Sequence, residues 1–209
     1  MTLEEVIKVL ETMPAADRFF DFGKFAAEHG WKSASGATKF CYIIPDADFV
    51  IKFCRNNKHH NECEQEARAY QSGKKYGIER VLLETRFVYE SPNGTRFFMQ
   101  PKISESHDRV SRKTRQKAIR INKTVRPKMC EKIRNGMYYD DLDRNWLSMV
   151  ISLYGKRFCR SLEQWSKENR VNDLHNANIG YVKGKPVILD YSGYCNFWKK
   201  GWQKQPHVL

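Results

Sequence analysis

Two aspartates and an asparagine frame a short apolar hairpin in VNDLHNANIGYVKGKPVILD, residues 171–190. IGYV and PVIL are strand-like runs, and Lys183-Gly184-Lys185 between them is a tight-turn signal. Asn178 lies six residues before Gly184 and Asp190 six after it. Antiparallel pairing about Gly184 sets Asn178 against Asp190 at the open end of the hairpin. Two hard oxygen ligands there can share a magnesium ion, which completes its octahedron with water and phosphate oxygens. Asp173, five residues before Asn178, enters the same end on a loop. A carboxylate that orients a hydroxyl, beside a metal pair that holds a triphosphate, suits phosphoryl transfer, whose catalysis is mostly positioning and charge neutralisation. Taken alone, the same three residues also read as turn and cap formers.

A second half of such a site is present far upstream. Phe49-Val50-Ile51-Lys52 is an apolar strand carrying one lysine, and the helical stretch after it carries Glu62, Glu64 and Glu66. A glutamate on that helix can hold the lysine ammonium against phosphate oxygens. Glu66 is the first choice, because helical spacing puts it on the face of Ala69 and Tyr70; Glu62 shares that face and is the second. The structural alternative is a lysine snorkelling at a sheet edge and a solvated glutamate.

The elements that must position these residues follow from periodicity. Thr2 to Leu10 and Ala15 to Glu28 have helical spacing around Pro14. Trp31 to Phe53 reads as three short strands turning near Ser35-Gly36 and Pro45-Asp46. Asn61 to Tyr76 reads as a helix, followed by two strand-like runs, VLLETRFVYE and TRFFMQPKI, joined at Ser91-Pro92-Asn93-Gly94. Apolar residues from Leu142 to Trp165 recur at spacings of three to five, which predicts one long, half-buried helix directly before the hairpin. The fold class is α+β.

Composition bounds the rest. A chain of 209 residues with 41% hydrophobic residues can bury a core. The N-terminus lacks the features of a signal peptide and no run is long enough for a membrane span. The six cysteines include no CxxC pair and read as reduced thiols, so the expected address is cytoplasmic and no membrane contact is expected. The formal net charge of +13 points to an anionic partner. From Lys102 to Arg134, twelve basic residues meet three acidic ones, so +9 of that charge lies in about one sixth of the chain.

The order Gly36, Val-Ile-Lys52, Glu66, a connecting strand ending at Gln100, Asp173-x4-Asn178 and Asp190-Tyr-Ser-Gly resembles the protein-kinase-like fold over nearly the whole chain. HGWKSASGATKFCYIIPDADFVIK and DLHNANIGYVKGKPVILD look more narrowly like the small Ser/Thr protein kinases encoded by bacteriophages. D-L-H-x-x-N is also found in aminoglycoside- and choline-kinase relatives. The resemblance implies ATP and magnesium as cofactors, Asp173 as catalytic base, His175 near the transferring phosphate, and Asn178 and Asp190 as metal ligands. It further implies Lys52 and Glu66 as the phosphate-positioning ion pair, Gly36 in the phosphate-covering loop, and a hinge at Gln100-Pro101-Lys102 whose backbone holds adenine. The fold implied is a minimal two-lobed kinase: a five-stranded antiparallel N-lobe over 1–103, with N-terminal helices, and a reduced helical C-lobe over 104–209 that includes a basic insertion at 102–135.

This sequence departs from the family pattern in three places. Val171-Asn172 stands where typical protein kinases have His-Arg, so control by loop phosphorylation is not expected. The glycine-rich loop keeps one glycine, Gly36, flanked by Ser35 and Ala37. Nineteen residues follow Asp190, to Leu209, too few for the activation segment and helices that usually receive a peptide. The expected activity is phosphoryl transfer to a protein Ser or Thr. The alternatives are a small-molecule phosphotransferase of the same fold, and a nucleotide-binding pseudokinase acting by protein or nucleic-acid contact through the basic segment. Two lesser motifs are Cys54-x4-His59-His60-x2-Cys63, with zinc-capable types at irregular spacing, and Trp198 and Trp202 among lysines, which read as a tail anchor or a stacking surface.

Overall fold

The structure, a computed structural model, describes residues 1–13, 20–36, 38–54, 61–92, 94–103, 112–124, 144–171 and 178–191. Asp173, His175, His59, His60, Trp198, Trp202 and the basic segment outside 102–103 and 112–124 lie outside the described residues.

Helix α1 (Leu3–Glu11) starts from a capping box, in which Thr2 and Glu5 bond each other's backbone N–H, and buries Val6 and Leu10. Of the second expected helix, residues 15–19 lie outside the described residues, and helix α2 runs over Phe22–Glu28. Asp21 has extended backbone and its carboxylate accepts from the N–H groups of Gly23 and Lys24, so it is the N-cap rather than a helical residue. Three strands follow: β1 (Lys32–Ser35), β2 (Lys39–Ile43) and β3 (Phe49–Cys54). Asn61 caps helix α3 (Glu62–Tyr76), after which come β4 (Arg86–Glu90) and β5 (Arg96–Pro101). The five strands form one antiparallel sheet in the order β1-β2-β3-β5-β4, the chain crossing by α3 between β3 and the edge strand β4.

The apolar run Val81-Leu82-Leu83 is not part of a strand in this sheet, contrary to its pattern. Glu79–Val81 is a 3-10 turn, and Leu82 and Leu83 leave the sheet to bond the hairpin, where the Leu83 N–H donates to the Ile188 carbonyl at 3.0 Å. Burial explains the change: Val81 and Leu82 belong to a second core built by α3, the long helix over Arg144–Glu168 and the hairpin.

Helix α4 (Arg112–Thr124) is the described part of the basic segment, and it packs on α5 (Arg144–Glu168). Its Ala118 is buried, and Lys117 donates to the Ser152 carbonyl at 2.8 Å. The long helix is interrupted where the apolar spacing gave no sign of it, at Gly155, whose φ of 80° and ψ of 177° only glycine adopts readily. Lys117 therefore serves a carbonyl just ahead of the break and is not merely a solvated charge. Strands β6 (Ile179–Val182) and β7 (Lys185–Ile188) form the expected hairpin.

Three clusters of buried apolar residues stand among the described residues. One joins α1 and α2 to Tyr42, Ile51, Phe53 and Phe97; a small one joins Cys54 and Phe98 of the sheet to Cys63 of α3; the last joins α3, α4, α5 and the hairpin around Trp146 and Trp165. Trp165 is fully buried and its indole N–H donates to the Ala69 carbonyl in α3 at 2.9 Å, tying α3 to α5. Trp165→Ala removes this packing and bond together and is expected to cost about 3–5 kcal/mol. Urea denaturation should show a lowered midpoint with an unchanged slope.

Candidate functional site

Alternation along the strands builds the site. In β3, Ile51 and Phe53 face α1 and α2, so Lys52 between them must face the other way, toward α3. Cross-strand register adds its neighbours on that face: Cys41 of β2 and Phe98 of β5 stand opposite Lys52, Lys39 stands opposite Cys54, and Gln100 stands opposite Val50. The face turned to α3 and the hairpin is thus partly polar, while the other face is packed with aromatic rings.

Glu66 lies on the buried stripe of α3 with Cys63, Ala69, Tyr70 and Gly73 and has no solvent exposure. Lys52 Nζ donates to both of its oxygens, at 3.0 Å to Oε1 and 2.8 Å to Oε2, and reaches the Leu189 carbonyl at 3.5 Å. A second lysine shares the carboxylate: Lys39 Nζ is 2.7 Å from Glu66 Oε1 and 2.6 Å from Asp190 Oδ2. Glu62 is 3.9 Å from the same ammonium, and its carboxylate accepts from the Thr38 hydroxyl. Lys39, Lys52, Glu62, Glu66 and Asp190 form one charge cluster where sheet, α3 and hairpin meet.

The charges decide the protonation states. Burial opposes ionisation of Asp190, but Lys39 and Lys52 outweigh it and hold the carboxyl below the ordinary carboxylate range. Burial likewise opposes Lys39, and Glu66 and Asp190 overcome it, raising the ammonium above the ordinary lysine range. Lys52 is raised by the same competition, burial against Glu66. Burial pushes Glu66 upward against the pull of both lysines.

A network of uncharged groups fixes this cluster. Thr85 donates to Glu66 Oε2 at 3.2 Å. The Gln100 amide donates to Thr85 Oγ1 at 3.2 Å and to the Leu189 carbonyl at 2.9 Å. Tyr191, the residue after Asp190, is buried and donates to the Leu83 carbonyl at 2.6 Å. Asp190 is thereby flanked on both sides by residues bonded to the rest of the site.

The structure brings Lys52, Glu66 and Asp190 together. Gln100 joins them, but its side chain is a tether between β5 and the hairpin. The hairpin register differs by one residue from the expected one. Lys183 and Gly184, with φ of 50° and 74°, make a two-residue turn, so Ile179 pairs with Ile188 and the Leu189 N–H donates to the Asn178 carbonyl at 2.8 Å. Leu189, not Asp190, is therefore opposite Asn178. Gly36 is exposed at the end of β1, where its N–H donates to the Lys39 carbonyl at 2.9 Å. Lys102 is exposed beyond β5 and its N–H donates to the Asp48 carbonyl at 2.7 Å. The Cys54 and Cys63 sulfurs lie 3.7 Å apart where β3 passes into α3. Sequence reading missed Lys39, Thr85 and Tyr191. Lys39 alone had a usable signal, the alternation Lys39, Cys41, Ile43 in β2, but that signal requires the β2–β3 register.

Comparison with protein-family models, with curated proteins and with solved structures finds no match for this chain.

Removing one partner from a buried charge cluster leaves the others uncompensated. Glu66→Gln takes from buried Lys52 its carboxylate partner and leaves Lys39 to Asp190, and is expected to destabilise the fold by about 3–5 kcal/mol. Lys52→Met should cost less, since Lys39 still meets the Glu66 carboxylate. Equilibrium urea unfolding of the two variants gives the order directly.

Proposed function

We propose that the chain is a minimal protein-kinase-like phosphotransferase that moves the terminal phosphoryl group of magnesium ATP to a serine or threonine of a protein. The observation that carries this reading is the enclosed Lys52–Glu66 pair. Its lysine lies on the third strand and its glutamate on the next helix, as protein kinases place them, and Asp190 is joined to it at the end of a hairpin. The five-stranded antiparallel sheet is consistent with an N-lobe over 1–103 and a reduced C-lobe over 104–209.

The donor chemistry fits the cofactor. Asp190 and Asn178 offer hard oxygens of the kind magnesium takes, and Asp190 Oδ2 already holds a positive group. Formally, Glu62, Glu66 and Asp190 exceed Lys39 and Lys52 by one negative charge. In this reading Asp190 and Asn178 hold the metal, which neutralises the phosphates of ATP. Lys52, fixed by Glu66, orients the phosphates, and Asp173 orients the acceptor hydroxyl, with His175 beside the transferring group. Gly36 belongs to the loop over the phosphates, and the backbone at Gln100 and Lys102 borders the adenine. The setting we infer is cytoplasmic, that of the host if the chain is phage-encoded, with the basic segment 102–135 as a contact for an acidic protein or a nucleic acid. No helix among the described residues is long and apolar enough to cross a membrane.

The pseudokinase reading has one observation on its side, the Lys39 ammonium paired with Asp190. Labelled ATP with a host lysate separates the possibilities: a labelled protein supports the proposal, a labelled small molecule supports the small-molecule phosphotransferase, and binding without label supports the pseudokinase.

ATP with magnesium should raise the melting temperature, since a ligand bound only by the folded state adds about 2.7 kcal/mol at a hundredfold excess over its dissociation constant. Asp190→Asn should remove most of that shift. Asp173→Ala should keep the shift and lower transfer by roughly a hundredfold or more, as loss of a transition-state contact does. No shift in the wild type with either magnesium or manganese would overturn the proposal.

A further inference from the structure

Lys39 is a group for which the phosphotransferase reading has no role. It sits on β2, three residues beyond Gly36, with its side chain 11% exposed and its ammonium between two carboxylates, 2.7 Å from Glu66 and 2.6 Å from Asp190. Glu66 does not depend on it, because Lys52 already meets both Glu66 oxygens. Asp190, with its side chain 27% exposed, has the closer contact to Lys39. The ammonium therefore occupies a coordination direction of the carboxylate that the proposed metal would use. A divalent cation on that oxygen and an ammonium beside it repel each other strongly at such range.

We propose that Lys39 is an exchangeable counter-ion, neutralising Asp190 in the nucleotide-free protein and moving to the phosphates when metal and nucleotide enter. This inference rests on the phosphotransferase reading and extends it with a second phosphate-positioning lysine. The exchange needs no backbone motion. A lysine carries a point charge on a flexible four-carbon stem with three rotatable donors, so it can turn from a carboxylate to a neighbouring phosphate. Lys52 cannot make that exchange, since it is held by both Glu66 oxygens and by the Leu189 carbonyl on the enclosed side of the cluster. The two lysines thus divide the work: Lys52 is fixed, and Lys39 trades partners. The exchange also couples metal to nucleotide. Metal alone must push the ammonium from Asp190 back onto Glu66 and Glu62, one of which Lys52 already neutralises, whereas metal arriving with a triphosphate brings a further anion that receives it.

The test uses the full chain and two ligands measured separately: manganese alone, followed by the electron-paramagnetic signal of the free ion, and ATP without divalent metal, followed by calorimetry. Lys39→Met should bind manganese about tenfold more tightly than the wild type, as expected when a like charge is removed from the site, and should bind metal-free ATP more weakly. Lys39→Arg, which keeps the charge, should leave manganese affinity near the wild-type value. A lysine that only braces the fold would weaken both ligands in Lys39→Met, so opposite directions of change are the signature. Should Lys39→Met be poorly folded, Lys39→Gln gives the same readout with a polar side chain of similar reach. Unchanged or weaker manganese binding in a folded neutral variant, with magnesium ATP still bound by the wild type, overturns this inference alone. Failure of the wild type to bind ATP under any metal condition overturns the phosphotransferase reading and this inference with it.

Discussion

The Glu66 carboxylate is enclosed by protein on every side, and that burial constrains everything around it. Taking a carboxylate out of water costs several kcal/mol unless cations and hydrogen-bond donors replace its hydration. Here Lys52 and Lys39 supply the charge and Thr85 supplies a neutral donor. Each comes from a different segment, β3, β2 and the stretch before β4. The carboxylate can be satisfied only when the sheet, α3 and the connection after α3 are all in place. The same two ammonium groups attract Asp190, so the end of the hairpin is drawn to the point where the sheet and α3 already meet.

A single sheet can serve a greasy core and a charged site because strand residues alternate sides. Phe40 stacks on Phe53 with ring centroids 5.4 Å apart, and Phe53 meets Phe97 at 5.0 Å, on the side covered by α1 and α2. Their immediate sequence neighbours, Lys39, Lys52 and Phe98, are on the side of α3. The aromatic face anchors the strands, and this rigidity holds the lysine stems at a fixed origin. Lys52 is held at its end by Glu66 and by the Leu189 carbonyl, whereas Lys39 bridges two carboxylates. A stiff scaffold with one exchangeable contact is a suitable arrangement for admitting a charged ligand without reopening the core.

The hairpin reaches the site through contacts outside its own turn. Leu83 bonds Ile188, Gln100 bonds the Leu189 carbonyl, and Tyr191 bonds the Leu83 carbonyl. This explains why an apolar run that reads as a strand, Val81 to Leu83, is diverted from the sheet. Its backbone groups are needed at the hairpin and its side chains in the second core. Trp165, bonded to the Ala69 carbonyl one turn along α3 from Glu66, links that core to the helix that carries the carboxylate.

The sequence by itself determined the order of the main helices and strands and the pairing of Lys52 with Glu66. Those features are local: strand alternation singles out Lys52 within Phe49–Phe53, and helical spacing puts Glu66 on the stripe of Ala69 and Tyr70. The turn at Lys183-Gly184 is equally local and was legible, apart from a one-residue error in register that followed from counting three turn residues where two positive-φ residues suffice. Tertiary structure alone decided that Lys39 joins the cluster, that Thr85, Gln100 and Tyr191 fix it, and that the long helix breaks at Gly155. A lysine on β2 reads the same whether it faces solvent or a carboxylate 151 residues away in sequence. Which of these it meets depends on strand register and on where the hairpin docks, and both are set by long-range burial and charge that no local pattern contains.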